Sequence, residues 1–166
     1  MKLQYLMICR RLVLAATLLA GAALMHGPAQ AEDGFTPLFN GTDLTGWTGD
    51  EALWRVENGE IVGSTKGVKL EHNSFLSTEK SYSDFVLKVK VKLINHNSGI
   101  QFRSDQLEDH AVAGYQADVA EKTYFGMLYE EKKRGILPYW KEYTEDQRKA
   151  VFDAANLEGW NEYVIT

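Results

Sequence analysis

Asn97-Ser98-Gly99-Ile100-Gln101-Phe102-Arg103, Gly114-Tyr115-Gln116-Ala117-Asp118-Val119 and Gly126-Met127-Leu128-Tyr129-Glu130-Glu131, with Arg134 three residues further on, decide how this chain folds. Each run has a glycine at or near its start and then alternates. Ile100 and Phe102 share one side, Gln101 and Arg103 the other; Tyr115, Ala117 and Val119 share one side, Gln116 and Asp118 the other. Side chains on a strand project with period two, so these runs predict neighbouring strands of a sheet with one buried face. The second face carries amide, guanidinium and carboxylate groups.

The strongest strand signal outside that stretch is Asp84 to Ile94. Phe85, Leu87, Val89, Val91 and Leu93 take one side and Lys88, Lys90 and Lys92 the other. Five apolar residues at period two fit no helical stripe. Trp54-Arg55-Val56-Glu57 and Glu60-Ile61-Val62-Gly63, joined by Asn58-Gly59, read as a hairpin. Phe35 to Phe39 and Phe75 to Thr78 are further strand candidates. Asn40-Gly41-Thr42-Asp43 has turn chemistry. Thr144-Glu145-Asp146-Gln147 has capping-box form and opens a helix running to a stop at Gly159. Tyr139, Trp140 and Tyr143 read as an aromatic loop after Pro138. Short strands with glycine-rich turns and one helical insertion predict an all-β antiparallel sandwich.

Met1 to Ala31 reads as a secretory signal peptide outside the fold. It has a basic start (Lys2, Arg10, Arg11), an apolar run from Leu12 to Met25 and the small-x-small site Ala29-Gln30-Ala31. It is too short for a comfortable membrane span. Its removal leaves 135 residues, Glu32 to Thr166, and takes the net charge from −5 to −8. That balance speaks against nucleic acid and anionic membrane surfaces as partners. The single cysteine, Cys9, leaves with the leader, so the expected exported protein, periplasmic or secreted, rests on its core without disulfides. Trp160 to Thr166 reads as a strand with no closing partner after it, an expectation that the domain's last strands lie beyond Thr166.

A polar sheet face of this kind suits a hydroxyl-rich ligand such as a sugar. Asp118, beside Gln116, is a candidate general base. Arg103 is either a clamp on an anionic or hydroxyl oxygen or a tie between strands. Glu130 and Arg134 are expected to pair beside the groove or at a solvated rim. Gln101 and Gln116 are candidate sugar contacts, and Tyr139 and Trp140 are the aromatics best placed to stack on a ring. Asp105, Glu108, Asp109 and His110 form a loop cluster that leaves a divalent metal open without indicating one. His72, His96 and His110 are too far apart for a compact metal motif. No Gly-x-Ser-x-Gly, P-loop or dinucleotide fingerprint is present.

Gly34-Phe35-Thr36-Pro37-Leu38-Phe39-Asn40-Gly41-Thr42-Asp43-Leu44-Thr45-Gly46-Trp47 resembles the opening of the 3-keto-disaccharide hydrolase domain family. The blocks from Trp54 to Gly63, Asn97 to Arg103, Gly114 to Asp118 and Trp160 to Tyr163 are similar to its later blocks, in order. The resemblance covers Gly34 to Thr166. It implies a concanavalin A-like jelly roll with a ligand groove on the concave sheet, and cleavage of 3-keto-glycosides by elimination and then hydration, as in exported bacterial members. Two rival readings remain open: a carbohydrate-binding module of the same fold without chemistry, and a glycoside hydrolase using two carboxylates such as Asp118 and Glu130.

Overall fold

A computed structural model describes residues 5–8, 34–121 and 124–166, with the side chains of residues 5–8, 139 and 140 outside the description. Strands are β1 (Tyr5–Ile8), β2 (Trp47–Thr48), β3 (Trp54–Glu57), β4 (Glu60–Gly63), β5 (Ser77–Thr78), β6 (Leu87–Asn95), β7 (Asn97–Gln106), β8 (Val112–Ala120), β9 (Leu128–Glu131), β10 (Gly135–Ile136) and β11 (Asn161–Ile165). Helices α1 (Pro138–Glu142) and α2 (Glu145–Ala154) lie between β10 and β11. One sheet has the order β11-β6-β1-β4-β3, the second β10-β9-β8-β7, and β2 pairs with β5. Every pairing is antiparallel. The all-β sandwich expected from the alternating runs is what forms.

The two large sheets meet in one core. Trp54 and Ile61 from β3 and β4, Val91 from β6, Val119 from β8 and Phe125 form its buried centre, with Val89, Leu93 and Ile100 packed against it. Val91 and Val119 are completely inaccessible, and burial of such a side chain contributes about 1.5–3 kcal/mol. The odd-numbered residues of β6 face inward, as their spacing requires, while Lys88 is exposed and lies over the Phe35 ring. The Asn58-Gly59 hairpin forms with positive φ at both turn residues, the backbone a two-residue turn of this hand needs.

Some expectations shift. Phe35 to Phe39 forms no strand, and Phe75 to Thr78 contracts to β5. Thr144 caps α2 with its capping box intact, but the helix stops at Ala154 rather than running to Gly159. Beyond Ala155, Asn161 Oδ1 accepts from the Asn156 amide and Asn161 Nδ2 donates to the Asn156 carbonyl, each at 2.8 Å. That clasp satisfies backbone groups a longer helix would use. Tyr139 and Trp140, expected in a loop, belong to α1. β11 finds a partner in β6, from Asn161 opposite Val91 to Ile165 opposite Leu87.

Residues 1–31 were expected to stand outside the fold, yet Tyr5–Ile8 runs between β4 and β6 and pairs with both. Those two strands otherwise present facing rows of backbone donors and acceptors, which an extended segment satisfies. Among the described residues, no helix is long and apolar enough to cross a membrane.

Candidate active site on the β7-β8-β9 face

Register builds the site. Gln101 pairs with Gln116 and Gly99 with Asp118 across β7 and β8; Gln116 pairs with Tyr129 and Gly114 with Glu131 across β8 and β9. Directly opposite residues in an antiparallel pair project to the same face. One face therefore collects Gln101, Gln116, Asp118, Tyr129 and Glu131, while Ile100, Ala117 and Val119 turn to the other.

A directed chain of hydrogen bonds runs along this face. Ser104 Oγ donates to Gln101 Oε1 (2.9 Å), Gln101 Nε2 to Gln116 Oε1 (2.8 Å), and Gln116 Nε2 to Asp118 Oδ1 (2.5 Å). The direction follows from its end: an ionised carboxylate only accepts, so Gln116 must turn its amide nitrogen to Asp118 and its oxygen to Gln101. Such chains polarise one another and fix the rotamers along them. The backbone of Asp118 is held too. Its N–H donates to the Met127 carbonyl, and its own carbonyl accepts from Gly126 N–H and from Tyr163 Oη at 2.8 Å. Tyr163 stands on β11, so this last bond ties the two large sheets together at the site. Glu131 is tethered separately, with Asn73 Nδ2 3.3 and 3.2 Å from its two oxygens.

Two glycines make the arrangement sterically feasible. The Gln116 side chain lies directly across Gly99, and Ser104 packs against Gly114; a Cβ at either glycine would come within 2.3 Å of that neighbour.

The site is closed in. Gln116 and Asp118 are 5% and 3% exposed, and Glu131 is 7% exposed. Burial pushes the Asp118 carboxyl up to about 7, against the lowering effect of the Gln116 hydrogen bond, and the negative charge of Glu131 pushes the same way as burial. Burial and then the charges of Glu131 and Asp118 raise the Tyr129 hydroxyl, which keeps it a proton donor at neutral pH. Tyr163 is raised by burial first and by Asp118 second.

The structure brings Gln101, Gln116 and Asp118 together as expected and leaves the other candidates elsewhere. Arg103 was expected on the polar face beside Gln101. A bulge between Phe102 and Asp105 interrupts the pairing with β8, and Arg103 takes a left-handed φ of 47°. The extra residue rotates the strand, so Ser104 reaches Gln101 and Arg103 is exposed. Among the described residues Arg103 has no hydrogen-bond or ion-pair partner. Glu130 and Arg134 pair as expected, and Arg134 also donates to Tyr115 Oη at 2.9 Å. However, Glu130 lies opposite Tyr115, on the face turned away from Asp118, so Asp118 and Glu130 are divided by the sheet. The Arg134 hydrogen bond holds the Glu130 carboxyl below its ordinary value, a structural ion pair by its chemistry. The side chains of Tyr139 and Trp140 lie outside the described residues. Trp54 is core, and Trp47 is half-buried with Nε1 donating to the Leu38 carbonyl.

The members of this face that the sequence reading did not single out are Glu131, its partner Asn73, Ser104 and Tyr129. Glu131 follows Glu130 directly, and only the β8–β9 register says which carboxylate joins Asp118. No signal in the sequence ties Asn73 to a residue so far along the chain. Asp105, Glu108, Asp109 and His110 do not assemble into a cation cage, and among the described residues no group of three metal-ligating side chains does.

Neither a curated protein nor a solved structure matches the chain. Residues 34–166 match the 3-keto-alpha-glucoside-1,2-lyase-like domain. With four-fifths of its length inside that match and the sandwich fold in place, the chain belongs to the 3-keto-alpha-glucoside-1,2-lyase-like domain family.

Proposed function

We propose that this domain cleaves 3-keto-α-glucosides by elimination, followed by hydration, with Asp118 as the general base. The family points to a carbohydrate-directed role; the specific reaction is argued from the site. A ketone at C3 acidifies the proton on C2. Asp118 takes that proton, and the C2–H electron pair becomes an enolate across C2 and C3. The enolate collapses, restores the C3 carbonyl, forms a C1–C2 double bond and expels the glycosidic oxygen from C1. That oxygen gains a proton from a donor on the same face, and Tyr129, whose hydroxyl stays protonated at neutral pH, is the candidate. Water then adds across the double bond, hydroxyl to C1 and proton to C2, returning the proton Asp118 removed.

One observation carries this reading: a buried carboxyl held by a fixed amide on a polar sheet face, which its burial pushes up to about 7. A base poised near ambient pH combines an available ionised fraction with real proton affinity. Gln101 and Tyr129, both half-buried, are the outward members of the face and would meet the sugar hydroxyls. In this reading Met1–Ala31 directs export and the enzyme works outside the cytoplasm; cleavage after Ala31 would take Tyr5–Ile8 out of its place between β4 and β6, so the shortened chain is the mature form.

Asp118→Asn tests the proposal against a 3-keto-α-glucoside and the unoxidised glucoside. Loss of about 10²- to 10⁴-fold in turnover of the keto substrate is expected, with the fold retained by circular dichroism. Undiminished turnover in a folded variant overturns the role of Asp118. Turnover of the plain glucoside would favour hydrolysis by the Asp118–Glu131 pair, and binding of either sugar without turnover would favour a carbohydrate-binding module.

A further inference from the structure

Three bonds hold the backbone of Asp118, and they come from two directions. Its N–H donates to the Met127 carbonyl at 2.8 Å, and its carbonyl accepts from Gly126 N–H at 3.0 Å. Both partners belong to the turn that leads into β9. The third bond, from Tyr163 Oη at 2.8 Å, comes from the other large sheet.

Tyr163 is itself well fixed. It stands on β11 opposite Val89, an inward residue of β6, and packs against the core. Its ring meets Phe125 with centroids 5.9 Å apart at 47°. Two residues earlier, the Asn161–Asn156 clasp sets where β11 begins. The turn is fixed as well. Gly126 has a φ of 73°, and a Cβ there would stand 3.1 Å from Val151 Cγ1 on α2. Glycine takes that left-handed backbone without a steric cost.

The Tyr163 hydroxyl is not required to satisfy the Asp118 carbonyl, which already has Gly126 N–H. A phenylalanine would fill the same space and avoid burying a polar group. What the hydroxyl adds is rigidity at Asp118. Gln116 holds the carboxyl at Oδ1, and a carboxyl held at one oxygen can still swing if its own backbone turns. A general base must lie within about 2.6–3.2 Å of the proton it removes, and a misplacement of about 1 Å can cost 10²-fold.

We propose that Tyr163 is a positioning residue for Asp118: its hydroxyl, reaching across from the other sheet, fixes the Asp118 backbone and so aims the carboxyl. The kinetic consequence rests on the elimination reading above. The ordering of Asp118 does not. Tyr163 touches no substrate in this arrangement and acts only through the base.

The test compares two variants of the full chain. Tyr163→Phe removes the hydroxyl and keeps the ring. Val89→Ala removes packing opposite Tyr163 and keeps the hydroxyl, so it controls for lost stability. With a 3-keto-α-glucoside, Tyr163→Phe should lower kcat about tenfold and leave KM near the wild-type value. Val89→Ala should lower the melting temperature and leave kcat unchanged. In parallel, the side-chain amide protons of Gln116 are followed by NMR, because they report the bond to Asp118. They should move in Tyr163→Phe and stay in Val89→Ala. Unchanged kcat in Tyr163→Phe, or an equal fall in both variants, overturns the positioning role and leaves Asp118 as the base. If wild type turns over no keto substrate, the elimination reading falls and the Gln116 signal decides alone: moved in Tyr163→Phe, it keeps Tyr163 as the holder of Asp118; unmoved, it removes that role too.

Discussion

The Gln116 side chain crosses the backbone of Gly99 so closely that a Cβ on Gly99 would stand 2.3 Å from Gln116 Cγ. Gly99 is the β7 residue opposite Asp118, so its missing side chain is what lets Gln116 lie flat and reach the carboxyl. Gly99→Ala should displace Gln116, break the amide-to-carboxyl bond and cost about 1–3 kcal/mol of stability as an overpacking change. Chemical denaturation measures the cost. An unshifted urea midpoint would show that the side chain has room the contact denies it.

Asp118 makes stability depend on pH with a definite sign. Its carboxyl rises from 3.8 to about 7 on folding, so between those values the folded chain binds more protons than the unfolded one. Stability from this group is full below about 4 and is lost as pH rises through about 7. Asp118→Asn, which keeps an acceptor for Gln116, should flatten that slope and be more stable than wild type at pH 8 by about 4 kcal/mol. Urea midpoints of both proteins from pH 4.5 to 8 decide it, and parallel profiles would refute the assignment. With Asp118 as the proposed base, turnover should rise through the same pH window.

Arg134→Ala should destabilise the protein while acting on the face opposite Asp118. Removing Arg134 leaves the buried Glu130 carboxylate without its main partner. Because the Glu130 carboxyl is held below its ordinary value, the lost stability is present at neutral pH and fades as pH falls through the acidic range of that group. Thermal melts of wild type and variant should differ most at pH 7, and the difference should shrink as the pH falls into the acidic range.

Thr144→Ala should cost about 1 kcal/mol, the usual loss when an N-cap side chain is removed. Thr144 Oγ1 accepts from the Gln147 amide and Gln147 Oε1 from the Thr144 amide. Gln147→Ala should cost less, since it removes only the return half of the box. Melting temperatures of both variants check the order.

Deleting residues 1–31 should lower the melting temperature, because Tyr5–Ile8 pairs with both β4 and β6. Ile61 and Val91, among the most buried residues, lie on those two strands. The opened strand edges should also favour self-association, readable by analytical ultracentrifugation. Equal melting temperatures for the full and shortened chains would show that the strand contributes nothing.

Elements with a strong period were legible residue by residue. β6 declared its inward face through Leu87, Val89, Val91 and Leu93, the β3–β4 hairpin through Asn58-Gly59, and the start of α2 through Thr144 and Gln147. Each depends on neighbours within a few positions, where backbone sterics and local hydrogen bonds decide. Gln101, Gln116 and Asp118 were legible as one face for the same reason.

Arg103 failed because alternation assumes an uninterrupted strand, and a single bulge residue between Phe102 and Asp105 reverses the faces after it. Glu130 failed because a one-residue choice of register swaps every side chain between faces, and register is set by pairing with β8, not by β9 itself. Local order in this chain follows from the spacing of its residues: strands, turn, cap and the polar character of one sheet face. Which carboxylate stands with Asp118, the burial that raises its pKa, and the meeting of Asn73 with Glu131 came from tertiary structure alone, because each depends on contacts between segments far apart along the chain.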